Sequence, residues 1–352
     1  MNTPSTPSTP SGVDDIISAV RATGGELRAG GTDVTARRRV GRATGPFVDL
    51  RGVAGLRGVV RRPDGSVRIG AMTTVSEVAE DPRLRRCYPA LTSTAASLAT
   101  PQIRAAATIG GNLLQRNRCW YYRNARFSCH QTGADTCPAR TGLNLYSVVI
   151  DQSPCVAPHP SSLATALLAY DADVTARGSG RFALRDLYGD GADPSRDHLL
   201  PSGDVLLAVE LPAPAAAHHV AHHRSTSRSR AEWPLVEVVA RLGLAGTGIT
   251  SATVAAGGVA RTPVRLTAVE TALAGRPATP EVLAAAAGHA GAGCTPLAQN
   301  GYKVALLRAT VLEVLELALG APARTWGAGG SAAEDGAGDD GTEAPAGFHR
   351  DI

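Results

Sequence analysis

Apolar residues recur along this chain with two periods. In "DDIISAVRA", Ile16, Ile17 and Val20 fall on one face at helical spacing, which predicts a short helix. "GGELRAGGTDV" follows as a short strand running into a double glycine. "FVDLRGV", "LRGVVRR" and "SVRIGAM" are short β segments parted by Gly, Pro and Asp. "TTVSEVAED" opens with hydroxyl residues able to cap a helix, and "CYPALTSTAASLAT" reads as a second helix ending before Pro101. Further on, "LYSVVID" is a strand candidate, "SSLATALLAY" a helix capped by Ser161 or Ser162, and "DVTARG" and "GDVLLAVELP" return to strand.

The texture then changes. "HHVAHHRSTSRSRAEWP" is polar and reads as a connection, and "LVEVVARLGL" and "ITSATVAAGGVA" look like long antiparallel strands. "AVETALAG", "PEVLAAAAGHA" and the long "YKVALLRATVLEVLELAL" look like helices. A boundary near 218–228 divides the chain into an α/β part over 13–222 and a smaller α+β part over 223–320. The Ser/Thr/Pro-rich 1–12 is expected to be flexible and the Gly/Ala/Asp/Glu-rich 321–352 disordered.

Composition narrows the function classes. With 352 residues, 43% of them hydrophobic, the chain can build a sizeable core. A net charge of +4 with scattered arginines argues against nucleic-acid binding, which needs a concentrated basic face. No apolar run approaches the ~18 residues that span a bilayer, and "MNTPSTPSTPSG" lacks the charged and apolar regions of a signal peptide. The expectation is a cytoplasmic protein without membrane insertion, whose six cysteines serve as thiols or metal ligands rather than disulfides.

Two double-glycine turns stand out. "LRAGGTDV" (27–34) and "ATIGGNLL" (107–114) each let backbone N–H groups approach an anion, because no Cβ intervenes. Neither is a dinucleotide or P-loop fingerprint. Singly each is an ordinary turn; as a pair they can clamp a pyrophosphate from two sides. The second turn runs straight into "RCWYYRNARFSCHQTGADTCPAR" (118–140), which concentrates cysteines, aromatics and arginines in a chain only 4% aromatic. Cys119, Cys129, Cys137 and Cys155 follow a C-x9-C-x7-C-x17-C spacing. Structural zinc usually takes closely paired C-x2–4-C ligands, absent here. An iron–sulfur cluster is larger than one ion and is reached by ligands strung along a wrapping loop. Spacing leaves zinc, a cluster and unliganded thiols all open. Cys87 and Cys294 stand apart and read as small buried hydrophobes.

Read together, "RAGGTDV", "PFVDLRGV", "VRIGAMTTVSEVAED", "PQIRAAATIGGNLLQ", "DVLLAVELP", "AAGGVARTPVRLTAVE" and "NGYKVALLRAT" resemble, in order, the FAD-binding medium subunit of molybdenum hydroxylases, the xanthine dehydrogenase family. The cysteine loop followed by "SPCVAPHPSS" is similar to the aldehyde oxidoreductase subgroup and, more distantly, to 4-hydroxybenzoyl-CoA reductase, in which the flavin subunit carries an extra [4Fe-4S] cluster. The resemblance implies an α+β chain: an FAD-binding domain of the vanillyl-alcohol-oxidase (PCMH) type, with an iron–sulfur loop over 117–156, and a smaller C-terminal domain of antiparallel sheet plus helices.

It further implies that Leu27, Arg28, Ala29, Gly30, Gly31, Thr32, Asp33, Val34, Thr108, Ile109, Gly110, Gly111 and Asn112 hold the FAD pyrophosphate and its neighbours, with Leu206 and Arg228 also on the flavin. Ser162 occupies a position that is acidic in the subgroup, which reads "HPSD" where this chain has "HPSS". Cys119, Cys129, Cys137 and Cys155 would ligate the cluster, with aromatics shielding it from water and arginines offsetting its charge. The chain would have no catalytic acid or base of its own. It would serve a heterotrimer, receiving electrons from a large molybdenum-cofactor subunit through a small [2Fe-2S] subunit and passing them via FAD to an acceptor. The resemblance leaves export with a signal-bearing partner open beside the cytoplasm. A hydroxybenzoyl-CoA reductase-like subunit and a zinc-binding module are the competing readings. "HHVAHH" reads as a solvated linker with adventitious metal affinity.

Overall fold

The computed structural model describes residues 12–214 and 218–320, so the expected disordered tail over 321–352 and all of the expected flexible lead-in except Gly12 lie outside the described residues. Helix α1 (Val13–Thr23) ends on Gly24, whose φ of 61° supplies the left-handed C-cap. Strand β1 (Glu26–Arg28) pairs in parallel with β2 (Phe47–Asp49), and helix α2 (Val34–Arg39) crosses between them. Strands β3 (Val59–Arg61) and β4 (Val67–Gly70) form a hairpin. Thr74 and Glu77 make a reciprocal capping box at the start of α3 (Val75–Glu80). Helices α4 (Pro82–Cys87), α5 (Pro89–Ser97) and α6 (Pro101–Ala106) each carry proline in the first turn, where its missing N–H costs nothing.

Helix α7 (Ile109–Leu113) holds the second double glycine, and α8 (Pro138–Thr141) lies within the cysteine loop. Ser161 is the cap of α9 (Ser162–Ala169), its hydroxyl accepting from the Ala164 N–H. Then come β5 (Asp173–Arg177), β6 (Gly180–Ala183), α10 (Leu184–Tyr188) and β7 (Val205–Leu211). The first sheet has the order β3-β4-β7-β5-β6, all antiparallel, with Val67 paired to Leu211 and Val174 to Val209. Ile69, Val174 and Val209 from this sheet meet Val78, Leu91 and Leu167 from α3, α5 and α9 in one core. Each such fully buried aliphatic side chain contributes about 2 kcal/mol.

The second sheet uses β8 (His218–Ser225), β9 (Val236–Ala245), β10 (Gly248–Gly257) and β11 (Val264–Arg265) in the order β11-β10-β9-β8. Alternation along β9 sends Val236, Val238, Ala240 and Leu242 to a core shared with α11 (Thr267–Leu273), α12 (Pro280–Gly288) and α13 (Tyr302–Ala318). Val239 and Ala255 point the other way, into the core with α9. The second sheet is thus buried on both faces and forms a wall common to both parts of the molecule.

Two expectations are corrected. The polar stretch at 218–225 is strand β8, paired along its whole length with β9. The histidine run is therefore no solvated linker: the His222 side chain is 3% exposed and lies 3.9 Å from Glu237, while His223 stands 3.4 Å from Glu313. Pairing with β9 overrides a weak local preference, as strand formation commonly does. Conversely, apolar 145–151 is irregular rather than a strand. Its backbone is held singly: the N–H groups of Val149 and Ile150 both reach the Val259 carbonyl, and Thr295 donates to the Val149 carbonyl. One shared acceptor cannot start a ladder.

Candidate functional site

The two glycine turns lie against each other. A Cβ on Gly30 would stand 1.8 Å from the Ala106 carbonyl oxygen, so the first turn needs glycine for backbone-to-backbone contact with the end of α6. Gly31 has φ of 75°, and its carbonyl accepts the Thr35 N–H that begins α2. Gly110 touches Ala71 in the same way, its added Cβ meeting the Ala71 carbonyl at 2.9 Å. Gly111 differs: it is exposed, and an added Cβ would be close only to the Thr108 hydroxyl, at 3.0 Å. That hydroxyl accepts from the Gly111 N–H and caps α7.

Between the turns opens a cavity of about 390 Å³, lined by Leu27, Ala29, Gly30, Gly31, Thr32, Asp33, Val34, Thr108, Gly110, Gly111 and Leu206. A second space of about 190 Å³ shares Thr32, Asp33, Gly111 and Gln115 with it and adds Asn112, Arg118, Arg224 and Trp233. A glycine cradle opening on a cavity of this size suits a dinucleotide. Sequence reasoning missed the opposite wall, where His198, Leu200 and Ser202 close the first cavity. Burial, with Arg116 nearby, pushes the His198 imidazole down to about 4, so it is neutral. The other expected residues stand apart. Arg28 pairs with Asp49 at 2.5 Å, and Ile109 is core. Ser162 is buried with an unpartnered hydroxyl, and Arg228 lines a third, larger cavity of about 500 Å³ beside Cys119. Ser161, next to Ser162, ties α9 to the second turn by donating to Asn112 Oδ1 at 2.7 Å.

The cysteine loop is fastened to the first turn and to the far wall by two carboxylates. Asp33 Oδ1 accepts from Arg123 at 2.7 Å and stands 3.1 Å from Arg118. Burial alone would raise the Asp33 carboxyl, but Arg118, Arg123 and Arg37 hold it below the usual carboxylate range. Asp197 accepts from Gln131 at 2.7 Å and from the Asn117 N–H at 3.1 Å, with Arg116 at 2.9 Å and Arg261 at 3.0 Å. These partners hold its carboxyl down at about 2 against the opposing effect of burial.

Within the loop, the thiols of Cys137 and Cys155 act on each other. The interaction pulls the Cys137 thiol down, helped by the Val156, Ala139 and Arg140 N–H groups, and pushes the Cys155 thiol up, as burial does too. Burial pushes the Cys119 thiol up, against N–H groups of Tyr122 and Tyr121, and Cys119 lies near enough to Cys137 and Cys129 to feel their charge. The four sulfurs therefore share one neighbourhood, three of them among backbone N–H donors. Among the described residues, no three His, Cys, Asp or Glu side chains converge on a single-ion site. Cys87 packs against the first core and Cys294 against the second. The aromatics divide: Tyr121 and Tyr122 are buried, whereas Trp120 is 69% exposed at the rim of the cavity beside Cys119. Arg140 and Arg261 are the cations that act on the Cys137–Cys155 pair.

Comparison with known proteins agrees with this geometry. Residues 6–214 match the family model for the FAD binding domain in molybdopterin dehydrogenase, and 221–318 match the CO dehydrogenase flavoprotein C-terminal domain. The chain is 32% identical over 308 residues to the aldehyde oxidoreductase FAD-binding subunit PaoB of Escherichia coli, covering 85% of this chain and 93% of that one. Over a shorter 89 residues, 25% of this chain and 30% of the relative, it is 45% identical to a putative xanthine dehydrogenase FAD-binding subunit, XdhB, of the same species. Among solved structures, a Cu,Mo-CO dehydrogenase chain aligns with TM-score 0.69 and 22% identity, covering 88% of this chain and 95% of that one. A chain of quinoline 2-oxidoreductase from Pseudomonas putida 86 aligns with TM-score 0.70 and 21% identity, covering 89% and 96%. At these identities the solved structures speak for the fold.

Proposed function

Because the chain belongs to the family of FAD-binding subunits of molybdenum hydroxylases, we propose that it is the FAD- and [4Fe-4S]-containing electron-transfer subunit of a molybdenum-dependent aldehyde oxidoreductase. The observation that carries the reading is the meeting of the two glycine turns on one cavity, with the cysteine loop fastened to the same turn through Asp33. The aldehyde class rests on the relative that matches most of the chain. Among the described residues no helix is long and apolar enough to cross a membrane.

In this reading Gly30, Gly31, Gly110 and Gly111 bring backbone to the pyrophosphate, and Thr32 and Thr108 supply hydroxyls beside it. Leu200 and Leu206 close the cavity from the opposite wall and exclude water. Neutral His198 adds no positive charge to that wall. The space toward Asn112, Arg118 and Trp233 takes the flavin ring. Cys119, Cys129, Cys137 and Cys155 hold the cluster, and their N–H donors and the neighbouring Arg140 and Arg261 offset its negative charge. Sulfurs that share a neighbourhood without converging suit a cubane better than one zinc ion, which needs four ligands at bonding distance. FAD bound here supplies the exchange between single electrons and pairs, and the cluster supplies a one-electron centre. A large molybdenum-cofactor subunit and a small [2Fe-2S] subunit complete the enzyme.

The test is iron, acid-labile sulfide and flavin per chain after anaerobic purification. About four iron and four sulfide per flavin is expected for a cubane beside one FAD. Flavin without iron would remove the cluster from the reading. One zinc and no flavin would replace it with the binding module.

A further inference from the structure

We propose that Asp33 is a positioning residue through which the flavin cradle and the cysteine loop order one another. The proposal rests on the flavin reading above. Asp33 lines the cradle, yet its carboxylate is fully engaged by protein: Oδ1 with Arg123 and Arg118, Oδ2 with Arg37 at 3.0 Å and the Arg116 N–H at 3.3 Å. Three of these four donors come from 116–123, the stretch that carries Cys119. Arg123 also donates to the Asn117 carbonyl at 2.9 Å and the Arg116 carbonyl at 2.9 Å, so one guanidinium holds the turn and the loop backbone together. Arg118 extends the tie, donating to Gln115 Oε1 at 2.9 Å and lying 4.5 Å over the Trp233 ring.

The carboxylate has few substitutes. Apart from Asp33, Arg37 meets the Glu26 carboxylate, which is half-exposed. Removing the Asp33 charge would leave Arg37, Arg118 and Arg123 facing one another in a buried space. A ligand that fixes the backbone of the first turn therefore fixes the carboxylate, and through it the loop. By linkage, a loop that is fixed favours the same ligand.

The experiment is hydrogen exchange of the full chain with and without FAD, read at amides of 116–131. In the wild type, saturating FAD should slow exchange there about tenfold, within the usual range of coupling between sites. Asp33→Asn, at saturating FAD, should abolish that slowing. Arg123→Gln, whose side chain lies outside the cradle, should still bind FAD, about tenfold more weakly as reciprocal coupling requires, by quenching of flavin fluorescence, and at saturating FAD should lose the loop protection. It also stands in should Asp33→Asn fail to fold. Asp33→Glu, which keeps the charge, should restore part of the effect. FAD-dependent protection that survives in Arg123→Gln and Asp33→Asn would overturn the proposal, as would a wild type that binds FAD with no change in the loop. A wild type that binds no FAD would overturn the flavin reading as well, which separates the two failures.

Discussion

Asp197 and Arg261, each with a side chain 2% exposed, stand 3.0 Å apart and join the segment before β7 to the turn after β10. Arg261 also donates to the Arg196 carbonyl at 2.6 Å and the Ala157 carbonyl at 3.3 Å, two residues beyond Cys155. Arg261→Met leaves Asp197 with Arg116 but strips the Arg196 and Ala157 carbonyls of a donor, and should destabilise the protein by about 1–3 kcal/mol. Denaturant unfolding at neutral pH measures it.

The same carboxylate gives an acid limit. The folded-state value of Asp197, about 2, lies below its ordinary value of 3.8. A depressed acid contributes stability that is complete above the unfolded value and is lost as pH falls through the folded one. Wild-type stability should therefore drop between about pH 4 and pH 2 more than that of Asp197→Asn, in unfolding curves taken across that range.

The two kinds of glycine should behave differently. Gly30→Ala sets a Cβ against the Ala106 carbonyl and should destabilise the fold by several kcal/mol, roughly the cost of overpacking. Gly111→Val fills space on the cavity side of a helix and should leave the melting temperature nearly unchanged while stripping flavin. Thermal melts paired with flavin content separate the two. Full flavin in Gly111→Val would remove that turn from the cradle.

The cysteines should divide into a set and two outsiders. Serine at Cys119, Cys129, Cys137 or Cys155 should remove most of the iron, and serine at Cys87 or Cys294 should leave it in place. Iron per chain is the readout, and equal losses at all six positions would break the assignment.

Lys303 should matter for the loop without touching it chemically. Its ammonium group is buried and donates to the carbonyls of Gly258 at 2.6 Å and Ser147 at 3.1 Å, which burial opposes by pulling its value down to about 7. Lys303→Met strips the buried Gly258 carbonyl of this donor, while the Ser147 carbonyl keeps Asn300 at 3.1 Å, and should cost about 1–3 kcal/mol in unfolding experiments.

What the sequence disclosed was local. The Gly-Gly pairs, the capping threonines and the crowding of cysteines and aromatics are short patterns with short-range causes, and the structure brings the two glycine turns onto one cavity. Asp197, His198 and Arg261 carry no such pattern. Their roles exist only because β7 and the turn after β10 return to the loop from far along the chain, and no period or motif announces that return. Strand β8 was illegible for a related reason: its histidines and serines become a strand only beside β9. The apolar run at 145–151 erred in the opposite sense, with strand-like residues but no partner edge to pair with.

The pairing of Val67 with Leu211 also sets an order in time. A chain emerging from the ribosome presents Cys119 through Cys155 before Asp197, β7 or Arg261 has been made, so every clasp that closes over the loop arrives after it. The thiols are open to delivery, and to oxidation, for the whole of that interval. In the proposed reading, loading of a cluster on the loop is easiest before the last strand and the C-terminal wall close, and late loading of a finished chain would have to reopen the Asp197 clasp.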